Sequence, residues 1–176
     1  MKTKTDDVKL RGTLMKARGV DKPVMIMLPD ILEPASNFSK FFNRENNKVL
    51  DQRNVWLLDY RNQGDSDHHA SYDLEEMSDD IVRFMDENKI TMATIGGHGF
   101  GAKVATVTAI NHMTRFTGVI NLEGGPVDQR YHEAYLELKE YIQFANNLKL
   151  SEHDLNSVMK ALDTGIADPK WRAIFK

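Results

Sequence analysis

The 176-residue sequence contains no cysteine, which excludes disulfides, thiolate chemistry and cysteine-ligated zinc within this sequence. It also lacks any apolar run that approaches the ~20 residues of a membrane-spanning helix. The formal net charge is −3, so no excess of positive charge favours binding to nucleic acid or to an anionic membrane. The first residues carry no apolar run and include Asp6 and Asp7, unlike a secretory signal or a typical transit peptide. These absences favour an intracellular protein that makes no direct contact with nucleic acid and has no membrane span.

Short apolar runs alternate with segments of helical periodicity along most of the chain. Residues 24–28 form an apolar run, and residues 54–59 enclose a second one, Val55 to Leu58; both are of the kind found in strands buried on both faces of a parallel sheet. Further strands are predicted at residues 8–16, 90–95 and 117–122, and helices at 74–88 and 102–112, with a shorter helix that begins at Ser36, which can serve as its N-cap. The alternation predicts an α/β fold with a mostly parallel sheet and helices on both faces. We expect one domain, with a core at 1–126 and a polar helical segment at 127–176.

The segment at residues 90–102 has the pattern strand, tight turn, helix. Its centre, Gly97-His98-Gly99-Phe100-Gly101, matches the Gly-x-Ser-x-Gly nucleophile elbow except at the middle position. Glycine has no side chain, so no nucleophile can arise at Gly99. The alternative that Gly99 is an engineered replacement of a serine, made to trap a substrate, stays open at this point.

Together with a second motif, this elbow resembles the small α/β-hydrolases of the esterase and acyl-thioesterase type, particularly mitochondrial abhydrolase-domain proteins and their bacterial relatives. The second motif, Asp59-Tyr-Arg-Asn-Gln-Gly-Asp-Ser66, is similar to the loop that follows strand four of that family. The resemblance covers residues 23–126 and implies an incomplete α/β-hydrolase fold that retains strands three to six, followed by cap-like helices. It also implies structural rather than catalytic roles for the loop residues Asp59, Arg61, Gly64 and Asp65.

Two further features depart from the family pattern. Where the family usually has His-Gly leading into the oxyanion hole, this sequence has Pro29-Asp30-Ile31-Leu32. A carboxylate there opposes the negative charge that develops during acyl transfer, and Pro29 supplies no backbone N–H. In the family, the acid and the histidine follow strands seven and eight, whereas cap-like helices end this sequence. We therefore expect no triad catalysis.

With strands seven and eight absent, the strand at 117–122 would lie at the edge of the sheet. It carries no charged residue that would discourage pairing with another chain. We therefore predict a protein interface at this edge, made by Thr117, Val119, Ile120 and Leu122. The partner would be a chain that carries the C-terminal hydrolase strands, or another protein of a larger assembly.

The sequence thus predicts a pseudoenzyme, a catalytically inactive structural or accessory subunit of a larger complex, with no cofactor. One alternative is the N-terminal part of a split serine esterase or thioesterase, and another is a non-catalytic acyl- or lipid-binding module. The resemblance favours the mitochondrion, with the cytoplasm as the alternative. A metal site at Asp65, Asp67, His68 and His69 is a further hypothesis, but adjacent histidines in a polar loop are more often solvated, so we expect no metal.

Overall fold

A computed structural model of the chain describes residues 7–19, 21–42 and 48–124. They form a five-stranded sheet with the strand order β1-β3-β2-β4-β5. Strand β1 is antiparallel to β3, and the other neighbouring pairs are parallel. The predicted α/β fold with a mostly parallel sheet is therefore confirmed. The strands are β1 (Arg11–Met15), β2 (Val24–Leu28), β3 (Asn54–Asp59), β4 (Ala93–His98) and β5 (Phe116–Leu122).

The helices connect these strands in the order expected for parallel crossovers. The two longer ones, α2 and α3, pack on one face of the sheet and enclose a core that includes Ile26, Ile95 and Val104. On the opposite face, Met27 of β2 and Leu57 of β3 belong to a smaller apolar cluster, which also includes side chains from the segment after β2. The helices are a 3₁₀ helix (Ala35–Lys40), α1 (Val49–Gln52), α2 (Leu74–Glu87), α3 (Gly99–Asn111) and a second 3₁₀ helix (Met113–Arg115).

Two predicted elements around the elbow have different bounds in the structure. Strand β4 continues through its two glycines to His98, whereas the sequence predicted that the strand ends at residue 95. Gly96 and Gly97 pair with β2 and β5, and a Cβ on Gly96 would lie only 2.8 Å from the sulfur of Met27. Gly96 therefore allows the neighbouring side chains to approach the strand closely, and neither glycine ends the strand. Helix α3 begins directly at Gly99, three residues before its predicted start.

The short helix predicted to begin at Ser36 is a 3₁₀ helix, and the predicted serine cap is wrong. The N-cap residue is Pro34, which makes no side-chain capping bond. Instead, the carboxylate of Asp59 accepts a hydrogen bond of 2.6 Å from the backbone N–H of Ala35. A capping acceptor therefore comes from the end of β3, which local sequence spacing could not indicate.

Strand β5 lies at one end of the described sheet, where it pairs with β4. Of the residues predicted to form an interface there, Thr117, Val119 and Leu122 are exposed, while Ile120 is half-buried against the smaller apolar cluster. The predicted cap-like segment at 127–176 lies outside the described residues. Within the described ranges, no helix has both the length and the apolar character needed to cross a membrane.

Candidate functional site

The elbow is a strand–turn–helix junction in which neighbouring backbone segments are tightly packed. Gly99, the first residue of α3 and directly after β4, adopts a positive φ of 52°. A Cβ on Gly97 would collide with the backbone of Gly101, and a Cβ on Gly101 would collide with the carbonyl oxygen of Pro29. Both outer glycines are thus required by close approach of backbone segments. The geometry of a nucleophile elbow is retained although its central side chain is missing.

The carboxylate of Asp30, just after β2, binds the start of α3. Its Oδ1 accepts a hydrogen bond of 2.7 Å from the backbone N–H of Phe100 and one of 2.8 Å from the N–H of Ile31. The first N–H groups of a helix have no partner within the helix, and the N-cap residue His98 supplies no side-chain bond. Asp30 therefore provides the missing acceptor, and its negative charge is favourable at a helix N-terminus.

In an α/β-hydrolase, the oxyanion hole is formed by the N–H of the residue after the nucleophile and by an N–H from the loop after the family's third strand, which corresponds to β2 here. The N–H groups of Phe100 and Ile31 occupy these two positions. The sequence predicted only that Asp30 would oppose an oxyanion. The structure instead places the carboxylate in direct contact with both donors. A Cβ on Gly99 would collide with this carboxylate. A side chain at position 99 and the present position of the Asp30 carboxylate are therefore mutually exclusive.

The rest of the predicted oxyanion loop forms a turn beside this carboxylate. Pro29 is buried, while Leu32 is exposed and has a positive φ of 65°. The backbone N–H of Glu33 closes the turn by donating to the carbonyl oxygen of Asp30 at 3.2 Å. The turn fixes the direction in which the Asp30 side chain leaves the backbone.

His98 lies between two carboxylates at the end of β4. Its Nε2 is 3.2 Å from Oε2 of Glu123, and its Nδ1 is 4.0 Å from Oδ2 of Asp30. The position of Glu123 just past a strand end predicts the role of a cap, a loop anchor or a contact to the helices that follow. In the structure its carboxylate contacts the elbow histidine, so this residue belongs to the site. Its position just after β5, which neighbours β4, is the signal that could have indicated this.

Tyr60 is a member of the site that the sequence did not indicate. Its side chain is fully buried, its ring centroid lies 5.9 Å from that of Phe100, and its hydroxyl has no hydrogen-bond partner among the described residues. Burial raises the pKa of this hydroxyl above its ordinary value, and the negative charge of Asp30 is the next contribution. Tyr60 is therefore a protonated, buried donor whose ring packs beside Phe100, the residue that follows the elbow glycine.

The loop at residues 60–72 is held by its own buried polar contacts, in keeping with the predicted structural role. Asp59 accepts hydrogen bonds from the N–H groups of Ala35 and, at 3.3 Å, Asp65. Gly64 has a φ of 49°, and a Cβ there would collide with the Asp59 carboxylate. The guanidinium of Arg61 contacts Asp80 of α2 at 2.7 Å. These contacts join the loop to the sheet and to α2.

Two side chains of the hypothetical metal site accept hydrogen bonds from backbone N–H groups. Asp67 accepts a hydrogen bond from the N–H of Lys9, and Nδ1 of His69 accepts one from the N–H of Ser71. Across residues 7–19, 21–42 and 48–124, no three histidine, aspartate or glutamate side chains are grouped so that they could hold a metal ion.

Comparisons with known proteins agree with this architecture. The sequence profile of the alpha/beta hydrolase fold matches residues 23–153. The chain is 29% identical over 133 residues to a probable alcohol acetyltransferase of Saccharomyces cerevisiae, covering 73% of this chain and 38% of that protein. It is also 29% identical over 150 residues to an abhydrolase domain-containing protein of Schizosaccharomyces pombe, covering 84% and 55%.

Among solved structures, a marine microorganism esterase superposes with a TM-score of 0.74 at 20% identity, covering 96% of this chain and 62% of that one. An enol-lactonase from Burkholderia xenovorans gives a TM-score of 0.57 at 20% identity, covering 65% and 43%. At such identities the likeness concerns the fold alone. The sequence matches cover 28% to 55% of the length of the Saccharomyces cerevisiae and Schizosaccharomyces pombe relatives and of an ethanol acetyltransferase of Wickerhamomyces ciferrii. The matched profile, covering most of the sequence, and the retained elbow show that the chain belongs to the α/β-hydrolase family.

Proposed function

We propose that this α/β-hydrolase chain does not perform acyl transfer and acts as a structural or accessory subunit of a larger complex. The observation that carries the proposal is the contact between Asp30 Oδ1 and the N–H groups of Ile31 and Phe100, at 2.8 and 2.7 Å. These are the donors that an acyl-transfer site of this fold needs for the substrate's oxyanion. Here a carboxylate of the chain itself occupies them.

Acyl transfer at this elbow would need two changes at once. A nucleophile is required at the central position, where Gly99 has no side chain. The developing oxyanion would also have to displace the Asp30 carboxylate, which carries charge of the same sign. Because a Cβ on Gly99 would collide with that carboxylate, a serine could not simply be accommodated in the present geometry. The two departures from the family pattern thus support the proposal together.

A second candidate function is acyl transfer by a site that another chain completes. It is favoured by the similarity to proteins named as acetyltransferases, of whose length the matches cover 28% and 38%. In that case a nucleophile would have to come from outside the elbow, because the elbow itself is contained in this chain. The geometry around Asp30 gives this candidate less support than it gives the accessory role.

The first prediction concerns labelling by a fluorophosphonate probe, which forms a covalent bond with an activated serine. We expect the purified full-length chain to remain unlabelled, because position 99 holds glycine. The measurement is in-gel fluorescence, with an active α/β-hydrolase of similar size as the positive control and a heat-denatured sample of this chain as the negative one. Specific labelling at a serine within this chain would overturn the proposal.

The second prediction concerns the proposed partner at β5, which would add a strand beside Thr117 and Val119. The sequence has no cysteine, so Thr117→Cys provides a unique attachment point for a cross-linker. Glu87→Cys, exposed at the end of α2, is the matched control. In the native assembly we expect Thr117→Cys to cross-link to a chain with C-terminal hydrolase strands, and Glu87→Cys not to do so.

Mass spectrometry of the cross-linked peptides identifies the partner segment in that experiment. A cysteine at position 117 that stays accessible in the assembly, to the same extent as the one at position 87, would contradict a partner at β5. The accessory role would then have to depend on another surface.

A further inference from the structure

We infer that a cleft at the amino-terminal ends of β2, β3 and β4 is a binding site for a small organic anion, a carboxylate with an apolar body. The cleft has a volume of about 370 Å³. Its lining includes Val24 and Asn54, the first residues of β2 and β3, and Met92, which directly precedes β4. The elbow follows the other end of β4, so the inference goes beyond the proposed function and does not depend on the former acyl site.

Apolar side chains form much of the cleft. Leu14 of β1 lies opposite Trp56 of β3 in the sheet, and both side chains are half-buried, as is that of Val24. An edge-to-face contact with Phe84 of α2, at a centroid distance of 5.1 Å, holds the Trp56 ring in place. Met92 adds an apolar side chain that is 49% exposed. A volume of about 300–1,000 Å³ with a mainly apolar and aromatic lining is typical of small-molecule sites.

Two lysines, Lys22 and Lys89, add positive charge to this apolar cleft. Neither forms an ion pair with a carboxylate among residues 7–19, 21–42 and 48–124. Among the same residues, no aspartate or glutamate lines the cleft. An amphiphilic anion can place its head group beside the ammonium groups while its body covers Trp56. The charge of the lining therefore favours an anion over a neutral or cationic ligand.

The backbone conformation of Lys89 is unusual for a lysine. Its φ is 57°, in the left-handed region that favours glycine, and it directly follows Asn88, the C-cap residue of α2. Its N–H donates to the carbonyl oxygen of Asp86 at 3.1 Å. The N–H of Ile90 donates to the carbonyl oxygen of Met85 at 2.8 Å. The helix end thus holds a lysine where glycine would be less strained, which points to a role for the side chain.

The first residue of β3 fixes the backbone of Lys22. Nδ2 of Asn54 donates to the carbonyl oxygen of Lys22 at 3.2 Å, and the N–H of Asn54 donates to that of Pro23 at 3.0 Å. Oδ1 of Asn54 in turn accepts from the N–H of Ala17 at 2.9 Å. Both lysines therefore leave the backbone from turns that are already ordered, so binding a head group costs little backbone freedom.

The volume of the cleft limits the size of the ligand. It equals the liquid volume of about twelve water molecules, so a bicyclic monocarboxylate of roughly a dozen non-hydrogen atoms fits. We choose 2-naphthoate as the probe, because it joins a flat apolar body to one carboxylate. Naphthalene-2-methanol has the same ring system without the charge and serves as the matched neutral ligand.

The third prediction is that the full-length chain binds 2-naphthoate at this cleft. In an NMR titration of nitrogen-15-labelled protein at constant ionic strength, we expect saturable shifts of the amide signals of residues 89–92. The dissociation constant should be about 1 mM or lower for a ligand of this size. Naphthalene-2-methanol should bind at least about threefold more weakly, because it offers no charge to the lysines.

Lys89→Gly separates binding from folding. Glycine suits the φ of 57°, so the melting temperature should not fall. The affinity for 2-naphthoate should nevertheless fall by about two- to fivefold, the usual effect of one exposed charge pair, and Lys22→Gln should weaken it similarly. Lys40→Gln is the matched control, because Lys40 is exposed on the first 3₁₀ helix and does not line the cleft. It should leave the affinity unchanged.

Three results would overturn the anion site. The first is equal affinity for 2-naphthoate and naphthalene-2-methanol, which would indicate an apolar groove without a preference for anions. The second is the absence of saturable shifts at residues 89–92. The third is an affinity that stays unchanged in both Lys22→Gln and Lys89→Gly. None of them alters the fluorophosphonate result at the elbow, so the two proposals can fail separately.

Discussion

Replacing Arg61 with alanine should lower the free energy of unfolding by about 3–5 kcal/mol, because it leaves a buried charge without its main partner. The side chain of Arg61 is 1% exposed, and that of Asp80 is 0% exposed. Their contact of 2.7 Å joins the loop after β3 to α2, and Glu76 contacts the same guanidinium at 2.6 Å. In the variant, Arg83 would still contact Asp80, at 2.6 Å.

Urea denaturation followed by circular dichroism measures this loss. Arg18→Ala is the matched control, because Arg18 pairs with Asp51 at 4.0 Å with both side chains largely exposed. Exposed pairs contribute about 0–1 kcal/mol, so the control should unfold close to the natural chain. Equal effects of the two substitutions would show that the loop is not held by the buried cluster.

Introducing the serine of the family motif at position 99 should lower the free energy of unfolding of this chain. Gly99→Ser places a Cβ against the Asp30 carboxylate, and overpacking of this kind typically costs about 1–3 kcal/mol. The carboxylate can only withdraw by giving up its bonds to the N–H groups of Ile31 and Phe100. The cost should therefore be smaller when Asp30→Ala is already present, and the coupling between the two positions should be about 0.5–3 kcal/mol.

A double-mutant cycle measured by chemical denaturation gives this coupling. Gly118→Ala is the matched glycine control, since the nearest atom to a Cβ there is a methyl carbon of Thr94 at 4.0 Å. That substitution should be tolerated equally with and without Asp30. If the effects of Gly99→Ser and Asp30→Ala were simply additive, the two side chains would not compete for the same space.

Much of the fold could be predicted because its signals are local. The predicted strands at residues 24–28 and 54–59 coincide with β2 and β3, since a strand buried on both faces needs a continuous apolar run in its interior. The bounds of β4 could not be predicted in the same way. Two glycines in sequence indicate a turn, but here Gly96 allows close approach of side chains from neighbouring strands, and Gly97 allows close approach of the backbone at the start of α3.

The candidate site was predicted in position but not in its contacts. The Gly-rich motif indicated the elbow, and its missing side chain is visible in the sequence. The bond from the Phe100 N–H to Asp30 joins positions 70 residues apart, and it depends on the direction in which the turn after β2 leaves the sheet. Tyr60 could not be identified at all, because a buried tyrosine beside a strand end has no distinguishing sequence pattern. The partner and the location in the cell stay predictions.

The proposal that this chain performs no acyl transfer is tested most directly by labelling the complete native assembly with the fluorophosphonate probe and determining the modified residues by mass spectrometry. This preparation includes any chain that could complete the site. The account predicts no covalent adduct on this chain, at the elbow or elsewhere, even where a partner is labelled. An adduct on a residue of this chain that disappears when a substrate ester is added would contradict it.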